Sequence, residues 1–170
     1  STLISNYDFS QHVPDILIRT PKTSLIGTEE FSLFLERNKL QDYVLTELDY
    51  EKIKRAFEAG KLTPTLMRRL RTLLRVISKP LAVRSSGLFE DSLAQPFAGI
   101  FETYILPNSH PNIDVRLEQL ATAIKLVFAS VYSNTARGYV HAINYKIEQE
   151  KMAVVIQELV GKQYGQYYYP

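Results

Sequence analysis

LAVRSSGLFEDSLAQPFAGIFET, residues Leu81–Thr103, runs a short apolar segment into an abrupt polar end. Leu81, Ala82 and Val83 read as a strand, and that strand delivers Arg84 to a Ser-Ser-Gly turn. Arginine presents a fixed fork of donors that suits phosphate oxygens. Ser85 and Ser86 add hydroxyl donors, and Gly87 lets the backbone approach a ligand closely or take positive φ. An ordinary reading competes, in which Arg84 pairs with Glu90 or Asp91 in a polar turn. Four residues alone do not displace it, because short motifs recur by chance. The downstream residues add weight to the functional reading. Glu90-Asp91, Pro96-Phe97-Ala98-Gly99 and Phe101-Glu102-Thr103 follow in close order, and GIFETYILP, from Gly99 to Pro107, reads as a second strand.

Outward from this block, KMAVVIQELV is almost continuously apolar and rich in β-branched residues, as a buried strand requires. GKQYGQYYYP then turns at Gly161 or Gly165 and begins another strand. On the N-terminal side, Ser24–Ile26 reads as a strand and a helix follows. Thr28 is its expected N-cap, Glu29 and Glu30 sit in the first turn, and Phe31, Phe34 and Leu35 share one face. A second helix is expected over Asp49–Ala59, stopping at Gly60. A third starts with Thr63 as N-cap and Pro64 at the first helical position, and Leu66, Leu70, Leu73, Leu74 and Ile77 line one side. One long helix is expected from Asp114 to about Ile143, with Leu117, Leu120, Ala121, Ile124, Val127, Phe128 and Val131 as its apolar stripe. The chain therefore reads as one α+β unit. Residues 1–22 are an irregular lead-in, residues 23–79 are mainly helical, and residues 80–170 are strand-rich with the long helix.

Together these blocks resemble the N-terminal nucleotide-binding domain of the pyruvate phosphate dikinase and phosphoenolpyruvate synthase family. The VRSS strand end, the Glu-Asp pair, the Phe-Ala-Gly turn and the Glu-Thr strand start occur in the family's order. LEQLATAIKLVFASVYSNTARGYV resembles its long helix, EKMAVVIQELVGKQYG its buried strand and turn, and IGTEEFSLFLERNKL the strand–helix segment before them. The resemblance runs from about Pro21 to the end.

It implies a partial ATP-grasp-like fold, with a mixed or antiparallel sheet, packed helices, and ATP held between two subdomains. It further implies that Arg84 contacts the terminal phosphates as the catalytic charge stabiliser and that Ser85 beside it also binds the nucleotide. The bend at Phe97, Ala98 and Gly99 corresponds to a loop over the phosphates, Thr103 to a hydroxyl donor, and Glu102 to a group orienting Arg84 or a metal-bound water. Gln157, Glu158, Leu159 and Val160 correspond to the segment that meets adenine.

The implied cofactors are ATP and Mg²⁺, the latter in the longer parent protein, and no metal ligand is assigned in this sequence. The implied partners are phosphohistidine and pyruvate-binding domains of the same parent. The implied function is passage of phosphate from ATP to a histidine and then to pyruvate. A related dikinase with another acceptor and a non-catalytic nucleotide-binding module remain open alternatives. The family's Gly-Gly-Lys loop has no counterpart here, Pro96 stands where serine is usual, and Tyr139-Val140 replaces Tyr-Arg. The expectation is a piece of a longer enzyme that is inactive, and a poor ATP binder, on its own.

The bulk properties exclude other classes. The 170 residues are 45% hydrophobic and 22% charged with a formal net charge of +2, which supports no polyanion-binding role. Arg68, Arg69, Arg71 and Arg75 read as the solvated side of a helix. Absence of cysteine removes disulfides and thiolate metal sites, and His12, His110 and His141 lack metal-ligand spacing. The N-terminal stretch is a poor signal peptide and no apolar run spans a bilayer, so no membrane partner and a cytoplasmic location are expected. Tyr164, Tyr167, Tyr168 and Tyr169 read as a partly uncovered aromatic edge that favours self-association, possible as a homodimer.

Overall fold

A computed structural model describes residues 20–87, 99–142 and 151–169. Strand β1 (Thr23–Ile26) leads into helices α1 (Thr28–Arg37), α2 (Gln41–Thr46), α3 (Tyr50–Ala59) and α4 (Pro64–Val76). Strands β2 (Leu81–Gly87) and β3 (Thr103–Leu106) follow, then α5 (Ile113–Ala129), a 3₁₀ turn (Ser130–Tyr132) and α6 (Asn134–Ala142). Strand β4 (Met152–Glu158) and the hairpin β5 (Lys162–Tyr164)–β6 (Tyr167–Tyr169) complete the order. The main sheet has the order β1-β4-β2-β3, and every neighbouring pair in it is antiparallel. Antiparallel strands with helices gathered against them make this the expected α+β class.

The helix starts follow local chemistry. Asp49 accepts from the amides of Glu51 and Lys52, Thr63 from Leu66, and Asn112 from Asp114. Pro64 sits at the first helical position, where its missing N–H costs nothing. Gly60 follows α3 as expected, but with extended backbone, so positive φ is not its reason. A Cβ there would lie 2.7 Å from a ring carbon of Phe34, and this close approach demands glycine.

The structure departs from the sequence reading at five elements. The expected Ser85-Ser86-Gly87 turn is strand instead, because β4 continues alongside and pairs these residues with Val154, Ala153 and Met152, so Arg84 lies in the middle of β2. Gly27, not Thr28, is the N-cap of α1, and no side chain caps it; Thr28 is already helical. The Gln41–Thr46 helix was not anticipated. Strand β3 begins only at Thr103, because Gly99 takes φ +83° and turns the chain first. The single long helix is interrupted. The Ser130 hydroxyl donates back to the Val127 carbonyl at 2.7 Å, the chain extends at Ser133, and Ser133 Oγ accepts from the Ala136 amide to start α6. Ile143 lies outside the described residues.

The core fills one side of the sheet. Leu81 and Val83 of β2 and Met152, Val154 and Ile156 of β4 meet the helical layer. A chain of rings stiffens it: Phe31 and Phe34 stand 5.2 and 5.7 Å from Phe128, Phe34 stands 5.3 Å from Phe57, and Phe57 stands 6.0 Å from Tyr132. Two cations, Lys125 buried and Arg137 half-buried, tie helices together. Lys125 on α5 donates to the Glu58 and Gly60 carbonyls at the end of α3, and Arg137 on α6 donates to the Val44 and Glu47 carbonyls at the end of α2. Among the described residues no helix is long and apolar enough to cross a membrane.

Candidate functional site

The strand register separates the sheet into two faces. Leu81, Val83 and Ser85 turn to the helices, so Ala82, Arg84 and Ser86 turn the other way. Residues directly opposite in an antiparallel pair share a face, which places Val155 and Thr103 on either side of Arg84. The next row along the same face is Thr23, Gln157, Ala82 and Ile105. Among the described residues no helix covers this face at Leu25 (67% exposed) or Ile105 (58%). Arg84 and Thr103 are both exposed, and among the described residues Arg84 makes no ion pair.

One backbone bond sets the phase of the ladder. The Leu159 amide donates to the Pro80 carbonyl at 2.9 Å. Counting along the register from that pair, Arg84 is hydrogen-bonded to Val155 of β4, and its lateral contact with Thr103 is of the non-hydrogen-bonded kind. Side chains come closest in such pairs, so the guanidinium and the threonine hydroxyl are neighbours by backbone geometry. Proline has no N–H to return to the Leu159 carbonyl; the Tyr168 hydroxyl supplies that bond at 2.7 Å. The β5–β6 hairpin is thereby pinned to the end of β4.

A cleft of about 510 Å³ opens at this junction, lined by Pro80, Ile105, Pro107, Leu159, Tyr167 and Tyr168 among others. Pro80 and Leu159 continue the open face one row beyond Ala82 and Gln157. Four residue steps along the strand lead from Pro80 to Arg84, a span of about 13 Å at roughly 3.3 Å per residue. A cleft walled in part by Pro80, Leu159 and two tyrosines thus lies along the same face of the sheet as the Arg84 guanidinium.

The other sequence-designated residues divide around this face. Ser85 is buried on the helical side, away from the expected ligand, and Ser86 is the serine that shares the side of Arg84. Gly99 is exposed with φ +83°, and a Cβ there would meet no atom within 4 Å. Phe97 and Ala98 lie outside the described residues, as do Glu90 and Asp91. Glu102 precedes Thr103 and turns to the helical side, where it accepts from the hydroxyls of Tyr50 on α3 (2.9 Å) and Tyr104 on β3. Burial, and then the Glu102 carboxylate, pushes both phenols well above the ordinary tyrosine range, so both remain donors. Gln157 donates its amide to the Thr23 hydroxyl at 3.2 Å. The Glu158 carboxylate pairs with Lys79 at 3.0 Å and its amide donates to the Lys22 carbonyl. Leu159 is half-buried and Val160 is exposed.

Sequence reasoning missed Tyr50, Tyr104 and the role of Tyr168. The alternation of β3 pointed to Tyr104, but nothing local tied Tyr50 to Glu102, 52 positions away. Among the described residues no three His, Asp or Glu side chains converge on a point that a metal ion would occupy. The carboxylate next to Thr103 is taken by two phenols. No group of the described carboxylates is assigned to Mg²⁺, whereas the guanidinium, the hydroxyl and the cleft suit a nucleotide.

The sequence matches the family described as "Pyruvate phosphate dikinase, AMP/ATP-binding domain" over residues 6–165. It is 30% identical over 146 residues to "Uncharacterized phosphotransferase YvkC" of Bacillus subtilis, covering 84% of this chain and 16% of that protein. It is 34% identical over 94 residues to "Phosphoenolpyruvate synthase" of Aeropyrum pernix, covering 55% of this chain and 11% of that one. It is 27% identical over 164 residues to the protein of the same name in Deinococcus radiodurans, covering 87% of this chain and 20% of the relative. The chain thus spans a fifth or less of the length of these relatives. It belongs to the pyruvate phosphate dikinase AMP/ATP-binding domain family.

Proposed function

We propose that this chain, as a member of that family, is one wall of the ATP site of a dikinase-type phosphotransferase, and that the open face of its sheet is the wall. The observation that carries the reading is the alignment of two unlike features on one face. The apolar cleft at Pro80 and Leu159 lies about 13 Å along the strand from Arg84 and Thr103, a separation comparable to an extended ATP.

In this arrangement the adenine occupies the cleft against Leu159, with Val160 and the hairpin tyrosines at its border. Gln157 stands under the ribose and first phosphate. Arg84 holds the terminal phosphates and offsets charge as it builds on the transferred group. Thr103 donates to an oxygen of the same phosphates, and the Gly99 amide approaches them from the turn before β3. Ser86 stands on the ligand side of the sheet, and Ser85 supports the strand from behind.

The wider reaction is phosphate transfer from ATP to a histidine on a separate domain, and from there to pyruvate, with both later steps on domains of the parent protein. Mg²⁺ accompanies the nucleotide, and its ligands are outside the described residues. Location in the cytoplasm goes with that metabolic role.

The test suits a weak ligand. ATP titrated to millimolar concentration into the ¹⁵N-labelled chain should move amide resonances along Ala82–Arg84, Thr103–Ile105 and Gln157–Val160. Arg84→Gln should weaken the response about tenfold, the worth of one charge-assisted bond. A response confined to the helical layer, or none at all, would remove the open face as the site.

A further inference from the structure

We propose that Glu102 is a positioning residue whose clamp by Tyr50 and Tyr104 holds Thr103 on the open face of the sheet. Its last step, toward the ligand, rests on the nucleotide reading above.

The argument starts from strand periodicity. Successive side chains of a strand point to opposite faces. Glu102 and Tyr104 flank Thr103, and both are tied on the helical side. With both neighbours held there, Thr103 has only the open face left. Among the described residues β3 is an edge strand of four residues, paired only with β2, so its own ladder holds its first residue weakly.

Tyr50 supplies what the ladder lacks. It is the first residue of α3, a helix capped by Asp49 and buried through Ile53 and Phe57. The hydrogen bond from its hydroxyl to Glu102 at 2.9 Å therefore joins the start of β3 to the rigid core. Tyr104 packs against the same core beside Val83. Lys54 Nζ stands 5.3 Å above the Tyr50 ring, on the same helix, and helps to fix the ring's tilt. A carboxylate is the suitable centre for such a clamp, since it accepts from two phenols at once without donating. The clamp thus carries rigidity from the helical layer, through one carboxylate, to the hydroxyl opposite Arg84.

The experiment uses the 170-residue chain with ¹³Cζ-tyrosine, ¹³C-methyl-threonine and ¹⁵N labels, in wild-type, Glu102→Ala, Tyr50→Phe/Tyr104→Phe and Arg84→Gln forms. Glu102→Ala should shift two of the eleven tyrosine Cζ resonances. Both clamp variants should raise exchange of the Tyr104 amide, which bonds to Val83, about tenfold, while the Val154 and Ile156 amides of β4 keep their protection. The ATP-induced shift of the Thr103 methyl should shrink in the same variants. Arg84→Gln should weaken ATP without altering Tyr104 exchange.

Unchanged Tyr104 exchange in both clamp variants would overturn the proposal. So would a parallel rise at Val154 and Ile156, which would make the clamp a general stability element. A Thr103 methyl that answers ATP normally in clamp variants, while Arg84→Gln does not, would also overturn it. If the wild-type chain shows no response to ATP, the nucleotide reading fails, and selective exchange at Tyr104 still supports the positioning of Thr103.

Discussion

Arg84 and Thr103 stand directly opposite one another on adjacent antiparallel strands, on the face of the sheet that the helices leave open. Removal of the guanidinium should therefore separate stability from function. Arg84→Ala should change unfolding free energy by no more than about 0.5 kcal/mol, as surface substitutions do. In the full-length protein the same change should slow ATP-dependent phosphohistidine formation by about 100-fold, the scale of losing one charge-stabilising group in phosphoryl or acyl transfer. Wild-type transfer rates in this variant would refute the role given to Arg84.

The two glycines that matter should respond differently to alanine. At Gly99 a Cβ has open space, but φ is +83°, so the cost is backbone strain of about 1–2 kcal/mol. At Gly60 the backbone is ordinary, but the Cβ would meet the Phe34 ring at 2.7 Å. Overpacking there should cost about 1–3 kcal/mol and disturb the Phe34–Phe57–Phe128 cluster. Urea unfolding of both variants, with near-ultraviolet circular dichroism to follow the rings, would tell them apart: only Gly60→Ala should alter the aromatic signal.

Tyr168→Phe removes the donor that replaces the N–H missing at Pro80. A carbonyl left unpaired at a half-buried position should cost about 1 kcal/mol. The loss should appear locally, as faster amide exchange through β5 and β6, with the main sheet protected as before. Equal protection of the hairpin in both proteins would show that the bond is dispensable.

The phenols of Tyr50 and Tyr104 are pushed upward, by burial first and by the Glu102 bond second. A group whose pKa is raised on folding contributes in full below its unfolded value, about 10 for tyrosine, and loses that contribution as pH climbs toward the folded value. The chain should therefore lose stability as pH rises above about 10. Tyr50→Phe/Tyr104→Phe should flatten the dependence. Denaturant midpoints measured between neutral and strongly alkaline pH test this, and parallel profiles for the two proteins would count against the clamp.

Much of this was legible locally. The cap at Thr63, the proline at the start of α4, the buried run of β4 and the Phe31-Phe34-Leu35 face are properties of near neighbours, and all appear in the structure, whereas Asp49, expected as the first residue of its helix, caps it instead. The errors were local as well, where two nearby signals competed. The apolar stripe of α5 runs past Ser130, but serine hydroxyls that bond to the backbone break the helix there. Strand-like residues begin at Gly99, yet the left-handed turn delays pairing to Thr103.

Sequence alone determined that an apolar strand carries Arg84, that a second strand includes Thr103, and that the segments bear the family's motifs in order, because side-chain periodicity is encoded over a few residues. Only the tertiary structure decided that these two residues are neighbours, that Ser86 rather than Ser85 shares their side, and that Tyr50 reaches Glu102. The reason lies in the parity of a β-ladder: a shift of one residue in register would send every side chain to the opposite face. What sets that register is the packing of a core assembled from residues far apart in the chain.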